Sequence, residues 1–264
     1  TLIFNIIRRI DEDNQVVGSD SRKEVWEKGW QENLDDFKYT NFNMDCLIPK
    51  FIRKNKSIRL NQTYIRPVHP EFELNFVKVY RRWFLENYFH PFDNIYEFGC
   101  GTGFNLVAAS EIFPNKNLYG SDFVQSSINL INEITKQKDI KLYGSLFDMI
   151  SPDQNYKIKP NSGVFTFGAL EQLAGQIEKM LDYLINQKPG ICLHTEPAIE
   201  LYDLEIFEDY LAYKFQKKRG YSEGLIPLLK DLENAGRIKI EKIKRLHFGS
   251  LYMEGYNLIV WRPL

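Results

Sequence analysis

The sequence predicts an α/β protein in which a mostly parallel seven-stranded sheet is the middle layer of a three-layer sandwich. A short apolar run, a glycine-rich turn and a helical pattern follow one another in residues 94–113. Such a strand, turn and helix open a nucleotide-binding α/β unit. Further apolar runs alternate with helical patterns after it, which is typical of a parallel sheet. Two last strand-like runs, residues 237–248 and 256–263, predict an antiparallel hairpin that completes the sheet.

Length and composition limit the class of protein. The 264 residues suffice for one large α/β domain, alone or with an extension. A net charge of -1 gives no global field that would favour nucleic acid or an acidic membrane. No apolar run approaches the ~20 residues of a membrane span. We therefore expect a cytoplasmic protein without a membrane partner, and a nucleic-acid partner is disfavoured.

The first seventy residues are expected to form an extension ahead of the main domain. Residues 1–20 predict a hairpin or extended arm, in which DEDNQ is the turn between two apolar runs. A helical pattern begins at Ser21, with apolar residues at helical spacing: Trp26, Trp30, Leu34 and Phe37. Two interpretations of this helix remain open. It either packs its tryptophan face on the main domain or covers a ligand pocket.

A basic segment and a long helix follow. Residues 50–59, KFIRKNKSIR, carry five basic side chains in ten, which indicates either a solvated face or a site for a phosphate-bearing substrate. Residues 61–70 contain two prolines and predict a loop. Residues 71–89 form an amphipathic helical pattern that His90-Pro91 ends.

The nucleotide-binding α/β unit begins with a strand that ends in Glu97 and Phe98. Glycines at 99, 101 and 103 predict a turn whose backbone passes close to a ligand. A helix is expected at residues 105–113, and the free amides at its start can receive a negatively charged group.

The spacing of these glycines indicates which ligand the turn binds. A dinucleotide fingerprint needs a third glycine where Phe104 stands, whereas this chain has ExGxGxG with Glu97 as its carboxylate. A carboxylate beside the turn suits an ammonium or sulfonium centre and would repel a pyrophosphate. S-adenosylmethionine (SAM) has such centres, and its own carboxylate suits the helix amides.

The turn EFGCGTG, residues 97–103, resembles the first motif of the class I SAM-dependent methyltransferases. The resemblance covers residues 71–264 and implies a Rossmann-like fold, with SAM as cofactor and S-adenosylhomocysteine (SAH) as product. It also implies that residues 1–70 are an extension and lid, since N-terminal helices cover the SAM pocket in many members of the family. The expected cofactor-binding residues are Glu97, Gly99, Cys100, Gly101, Gly103, Asp122, Phe123, Ser145, Leu146 and Trp26.

Two of these residues come from the next strands. Asp122 ends the second strand about twenty residues past the last glycine, where a carboxylate accepts hydrogen bonds from ribose hydroxyls. The third strand and its exit loop span residues 140–149. Many members of the family have an aspartate where Ser145 stands, which contacts the adenine amino group. Ser145 and the Leu146 backbone are expected to supply that contact here.

Candidate catalytic residues follow the fourth and fifth strands, because ligands bind at the carboxyl ends of parallel strands. Residues 163–173 predict a strand that runs into a helix, which places Glu171 there. His194 and Glu196 lie two apart on the fifth strand and therefore share one face. Three interpretations of this pair remain open. His194 and Glu196 form a general base and the residue that orients it, they ligate a cation together with Glu171, or they are structural. No HxxxH or dense carboxylate cluster is present, so no metal is predicted.

The methyl acceptor is expected to be a small molecule, and its methylated atom a hydroxyl oxygen. The segments WEKGW and TEP followed by ELYD look like those of small-molecule methyltransferases of bacterial carbohydrate or natural-product pathways. A sugar-bearing or phosphorylated acceptor fits that class. For a hydroxyl acceptor, His194 helped by Glu196 is the expected base, with Glu171 next. The alternatives are an RNA or protein methyltransferase that uses basic segments 50–59 and 214–219, and a SAM-binding protein without catalysis.

Overall fold

The computed structural model describes residues 2–14, 16–17, 22–221 and 223–264. The α-helices are α1 (Leu2–Glu12), α2 (Arg22–Tyr39), α3 (Phe72–Phe84), α4 (Phe104–Ile112), α5 (Gln125–Gln137), α6 (Glu178–Gln187), α7 (Phe207–Arg219) and α8 (Leu225–Asn234). The strands are β1 (Ile58–Leu60), β2 (Thr63–Ile65), β3 (Asn94–Phe98), β4 (Asn117–Asp122), β5 (Leu142–Leu146), β6 (Ser162–Phe167), β7 (Ile191–Glu196), β8 (Ile238–Lys244), β9 (Phe248–Ser250) and β10 (Asn257–Pro263).

Within these ranges, seven strands form the main sheet in the order β5-β4-β3-β6-β7-β10-β8. Strands β3 to β7 are parallel, while β10 runs antiparallel to both β7 and β8. This confirms the predicted mostly parallel sheet with a terminal antiparallel hairpin. The strand order reverses between β3 and β6, and in open α/β sheets a ligand crevice lies outside the carboxyl ends at such a point.

Apolar cores cover both faces of the sheet. Strand β3 shows the alternation, because Ile95 joins the core beneath α3, α4 and α5, whereas Tyr96 and Phe98 join the core beneath α6 and α8. Glu97 lies on the same face as Ile95 and is also buried. It is therefore an acidic residue at a core position. None of the helices in the described ranges has both the length and the apolar character that a bilayer crossing requires.

The N-terminal arm predicted for residues 1–20 is wrong where the structure describes it. Helix α1 replaces it, with Ile6 and Ile10 one turn apart and buried against Leu211 and Phe215 of α7. Positions 1, 15 and 18–20 of that prediction lie outside the described residues. The predicted helix after Ser21 is confirmed as α2, which buries Trp30, Leu34 and Phe37.

A second, three-stranded antiparallel sheet in the order β2-β1-β9 was not predicted. Its first hairpin lies where the sequence suggested a proline-containing loop, and turns through Asn61 and Gln62 with positive φ of 48° and 59°. Its third strand, β9, lies in the segment that connects β8 to β10. Ile58 pairs with Ser250, so this small sheet joins the N-terminal extension to the C-terminal strands.

Four charged side chains, three of them fully buried, hold the same junction together. Arg59 of β1 and Arg245 after β8 share two carboxylates, Asp209 of α7 and Glu254. Arg245 lies 2.7 Å from Asp209 and 2.6 Å from Glu254, while Arg59 lies 3.3 Å from Glu254 and also contacts Asp209. Two positive and two negative side chains thus neutralise one another. Arg59, Asp209 and Glu254 are fully buried, so each depends on the others for its solvation.

Replacing Arg59 with Met should lower the free energy of unfolding by about 3–5 kcal/mol, because it leaves buried carboxylates without their cation. The measurement is urea unfolding. Arg82→Met is the matched control, since Arg82 of α3 forms an exposed pair with Glu86, just past the end of that helix, and such pairs contribute about 0–1 kcal/mol. Equal losses in the two variants would show that the buried network contributes no more than a surface pair.

Candidate functional site

The backbone between β3 and α4 turns through three glycines in the left-handed region. The φ angles of Gly99, Gly101 and Gly103 are 72°, 53° and 75°. The Gly99 N–H donates to the Ser121 carbonyl at 2.7 Å, which fixes the turn to the end of β4. A Cβ at position 99 would overlap the Cβ of Ala169, so glycine is required by packing as well as by backbone angle. The predicted glycine turn is confirmed.

Glu97 lies beneath this turn with one oxygen unsatisfied. Its Oε1 accepts a hydrogen bond from Asn105 Nδ2 at 2.7 Å, whereas Oε2 has no hydrogen-bond partner among the described residues. Burial raises the pKa of Glu97 to about 8. An orphaned buried carboxylate oxygen is uncommon in folded proteins because its desolvation is costly. A ligand cation at this oxygen would restore the ionised form.

Asp122 ends β4 and contacts the glycine turn directly. Its Oδ2 accepts the N–H of Gly101 at 2.9 Å, and its Oδ1 accepts the N–H of Val124 at 3.3 Å. Burial raises the pKa of Asp122 to about 6, although these backbone donors oppose the rise. Asp122 and the turn therefore form one hydrogen-bonded unit. Whether that unit binds a ribose stays a prediction.

The other predicted cofactor residues of the main domain surround this unit. Cys100 is buried within the turn, and its burial raises the pKa of the thiol well above the ordinary value. Phe123 follows Asp122, and the guanidinium of Arg22 lies 5.4 Å from the centre of its ring. At the end of β5, Ser145 is half-buried and Leu146 is exposed.

Helix α2 covers the turn through its tryptophans. The Trp30 indole is almost fully buried, and a Cβ on Gly101 would lie 2.8 Å from its Cζ2. Trp26, the predicted cofactor contact on this helix, stacks on Trp30 with ring centroids 5.1 Å apart. Beyond α2, Thr102 Oγ1 donates to the Leu47 carbonyl at 2.5 Å. Trp30 and Leu47 thus pack against the glycine turn.

Two charged side chains of α2 also occupy the carboxyl edge of the sheet. The Glu27 carboxylate accepts the N–H groups of the first two residues of α5, each at 2.9 Å. Arg22 faces Glu171 and Asp122, and burial lowers the pKa of Arg22 despite these two negative charges. Its Nε is buried without a hydrogen-bond partner among the described residues. The helix therefore brings a cation, a carboxylate and an indole to this edge.

His194 is enclosed in the sheet interior. Its Nε2 accepts the indole N–H of Trp261 at 2.9 Å, and its Nδ1 lies 2.9 Å from Thr166 Oγ1. Burial lowers the pKa of His194 to about 3. Both ring nitrogens are engaged, so neither is free to take a proton from a substrate. This geometry contradicts the predicted role of His194 as a base.

Glu196 shares a face with His194, as the two-residue spacing predicted, but does not orient it. Its Oε1 accepts bonds from Thr166 Oγ1 at 2.7 Å, the Ala169 N–H at 3.0 Å and the Leu170 N–H at 3.1 Å. Its Oε2 accepts the Glu171 N–H at 3.3 Å. The predicted base-and-orienter pair is therefore corrected, since Thr166 lies between the two side chains.

Glu171 lies on the short turn that follows β6. The strand ends at Phe167, and a 3-10 turn over Leu170–Leu173 replaces the predicted continuous helix. Glu171 Oε1 accepts a bond from Gln172 Nε2 at 2.8 Å. Burial, followed by the charge of Glu196, raises the pKa of Glu171 to about 8. No group of three or more His, Cys, Asp or Glu in the described part of the chain is placed to hold a metal ion.

Sequence reasoning missed three residues of this edge: Arg22, Thr166 and Trp261. Arg22 lies four and eight residues before Trp26 and Trp30, so helical spacing alone places it on their face. Thr166 is the register partner of His194 on the neighbouring strand. Trp261 had no such local signal, because its contact with the imidazole depends on the insertion of β10 beside β7.

No protein-family model matches the sequence, and neither does any curated protein. Solved structures do match. The [4+2]-cyclase SpnF is 10% identical with a TM-score of 0.58, over 95% of this chain and 99% of that chain. PigF, solved with SAH, is 16% identical with a TM-score of 0.55, and the match covers 100% of this chain and 70% of that chain. An rRNA methylase from Escherichia coli is 10% identical with a TM-score of 0.52, and the match covers 90% of this chain and 77% of that chain.

Such low identities establish the fold alone. The matches extend over 90–100% of this chain. The chain therefore has the Rossmann-like fold that class I SAM-dependent methyltransferases share.

Proposed function

We propose that this protein is a SAM-dependent methyltransferase that acts on a hydroxyl group of a small molecule. The observation that carries the proposal is the orphaned Oε2 of Glu97, buried beneath a left-handed glycine turn that is bonded to Asp122. A single SAM molecule offers an ammonium group for Glu97, a carboxylate for the amides of the turn, and ribose hydroxyls for Asp122. The donors and acceptors at this edge thus match the groups of the cofactor.

The remaining residues fit the same assignment. The amides that begin α4 suit an anion, while Phe123, Ser145 and Leu146 would border the adenine. The bound cofactor would supply a methyl group made electrophilic by a sulfonium. Because the enzyme mainly has to align the acceptor with that group, positioning contributes up to ~7–11 kcal/mol in well-aligned systems.

Glu171 takes the place of His194 as the proposed base. With a pKa of about 8 it titrates close to neutral pH, where a general base is most effective. Gln172 donates to its Oε1 and so fixes the orientation of the carboxylate. In this proposal, Glu171 removes the proton of the acceptor hydroxyl and holds it on the carboxylate.

A small-molecule acceptor is favoured over RNA because much of the positive charge of the basic segments is paired with carboxylates of this chain. In segment 50–59, Lys50 pairs with Glu32 and Asp36, and Lys54 pairs with Glu71. The last cation of that segment is the buried Arg59, and in segment 214–219 there are further pairs: Lys217–Glu223 and Arg219–Asp13. Pairing of this kind also gives no support to a phosphate-bearing acceptor at segment 50–59. The fold alone does not distinguish between these classes of acceptor, because an rRNA methylase and a cyclase share it.

We also propose that the lid is narrower than residues 1–70. Helix α2 places Trp30 against Gly101, Arg22 beside Asp122, and Glu27 on the first amides of α5. Those are the positions assigned above to the cofactor, so the helix must shift for the cofactor to bind. Strands β1 and β2 are held by the buried charges around Arg59. The moving part would be residues 22–47, ahead of a methyltransferase domain over residues 71–264.

The purified chain should bind SAM or SAH in the micromolar range and should not bind NAD comparably, as measured by calorimetry. Asp122→Ala and Glu97→Gln should each weaken SAM binding by ~1–3 kcal/mol, because each removes a partner from a buried polar group. Glu205→Gln, on an exposed loop, serves as the control. Tight NAD binding without SAM binding would refute the proposed function.

Glu171→Gln should lower kcat by about 10²–10⁴, the usual contribution of a positioned general base, with SAM affinity unchanged. The acceptor is first found by screening hydroxyl-bearing small molecules for SAH release. In the wild type, kcat should rise with pH and level off above about 8, because only the ionised carboxylate accepts a proton. The variant should lack this rise. Glu178→Gln on α6 is the exposed control, and wild-type turnover by Glu171→Gln would place the base elsewhere.

Trp30→Ala should raise the association rate constant of SAH by tenfold or more, since a packed tryptophan contributes ~3–5 kcal/mol and tenfold corresponds to about 1.4 kcal/mol. Stopped-flow binding measures this rate. Trp83→Ala is the control, because Trp83 is an exposed tryptophan on α3. Unchanged rates, together with equal hydrogen exchange of residues 22–47 with and without SAH, would make α2 a fixed packing element.

A further inference from the structure

We propose that Glu196 is the positioning residue of the site: a buried anion to which the turn carrying Glu171 is bound through three consecutive backbone N–H groups. The inference rests on the proposed function, because it takes Glu171 as the residue on the acceptor side. It assigns Glu196 a role that acts through Glu171 and requires no contact with the acceptor.

The geometry is that of an anion in a backbone nest. The N–H groups of Ala169, Leu170 and Glu171 all point at the Glu196 carboxylate, at distances of 3.0 to 3.3 Å. Successive amides in such turns form concavities that bind negative charge. Here the charge comes from the neighbouring strand β7, so the loop after β6 is held by an internal carboxylate. Glu171 donates the third of these N–H groups, and its backbone is thereby fixed.

A chain of hydrogen bonds, each donated towards Glu196, maintains the negative charge of its carboxylate. The Trp261 indole N–H can only donate, so His194 Nε2 must be the unprotonated acceptor. The buried imidazole is neutral, which leaves its proton on Nδ1, where it can be donated to Thr166 Oγ1. Thr166 then donates its own proton to Glu196 Oε1. Every bond to Glu196 is donated to it, so the network fits the ionised carboxylate.

Two opposing effects act on the pKa of Glu196. Burial raises the pKa of Glu196, and the donated bonds from the three amides and from Thr166 oppose that rise. The buried pair of His194 and Trp261 thus has a function without touching a substrate. It fixes the tautomer that allows Thr166 to donate.

Glu196 also acts on Glu171 electrostatically. After burial, the negative charge of Glu196 is the next cause that raises the pKa of Glu171. Two cations oppose it, Arg22 from α2 and Arg219 from α7. Among the described residues, Gln172, Tyr221 and Tyr256 also face Glu171 and are uncharged at neutral pH. Glu196 therefore both fixes the turn and keeps Glu171 titrating near neutral pH.

The test follows the Glu171 carboxyl group directly, by ¹³C NMR of glutamate-labelled protein without cofactor or acceptor. The Glu171 resonance is assigned by its loss in Glu171→Gln. In the wild type it should titrate near pH 8. In Glu196→Gln the midpoint should fall by about one pH unit or more, because a nearby like charge is removed. Hydrogen exchange of the amides of residues 169–171 should also become faster by roughly tenfold, a loosening of about 1.4 kcal/mol.

Glu178→Gln is the control and should leave both readouts at their wild-type values. If Glu196→Gln does not fold, Thr166→Val and Thr166→Ser carry the test. Valine keeps the shape but removes the last donor of the chain, and should speed exchange at residues 169–171. Serine restores the hydroxyl and should restore slow exchange. An unmoved Glu171 midpoint in a folded Glu196→Gln variant, or equal exchange in the Val and Ser variants, would overturn the inference.

These readouts need no methyl transfer, so the two proposals can fail separately. A protein that binds no SAM but shows the shifted Glu171 midpoint would refute the function and keep the positioning role of Glu196. In an active enzyme, the pH at which kcat levels off should shift with the Glu171 midpoint in Glu196→Gln. If the enzyme is active and Glu196→Gln leaves the pH profile of kcat unchanged, the positioning role alone is refuted.

Discussion

Burial of carboxyl groups is the constraint on which the carboxyl edge of the sheet depends. Glu97, Asp122, Glu171 and Glu196 are all buried there, each at the end of a different parallel strand or in the turn after it. Their partners differ: Glu196 receives four hydrogen bonds, Asp122 is bound by backbone amides, and Glu97 keeps one oxygen unsatisfied. Such a concentration of buried acids does not stabilise a fold by itself. The proposed cofactor and acceptor would place cationic and hydroxyl-bearing groups at the same edge.

Local patterns in the sequence predicted the parts of the site that depend on neighbours in the chain. The glycine turn, Glu97 and Asp122 lie within one strand-turn-helix-strand unit, so spacing alone placed them together. His194 was misassigned because a two-residue period tells which residues share a face but not what covers that face. Its cover is Trp261, which lies 67 residues further along the chain. The Glu196 carboxylate, which the spacing placed beside His194, instead accepts hydrogen bonds from the turn that carries Glu171.

The N-terminal extension was the least predictable part for a similar reason. The apolar run LIFNII fits a strand as well as a helix, and only the packing of Ile6 and Ile10 against α7 decides between them. The basic run that ends in Arg59 suggested a solvated surface or a phosphate site. Arg59 is buried because Asp209 and Glu254, 150 and 195 residues away in the sequence, supply its counter-charges. Partners at such distances leave no local trace in composition.

The pairing of β1 with β9 determines when, during synthesis, the extension can be completed. Strand β9 is translated roughly 190 residues after β1, which corresponds to about 10–40 s at ~5–20 residues per second. Until then the β1–β2 hairpin has a free edge, and unpaired edges invite association with other chains. Strands β3 to β7 are complete well before that point. The strands that border the proposed ligand crevice are therefore synthesised before the free edge of the β1–β2 hairpin can be paired.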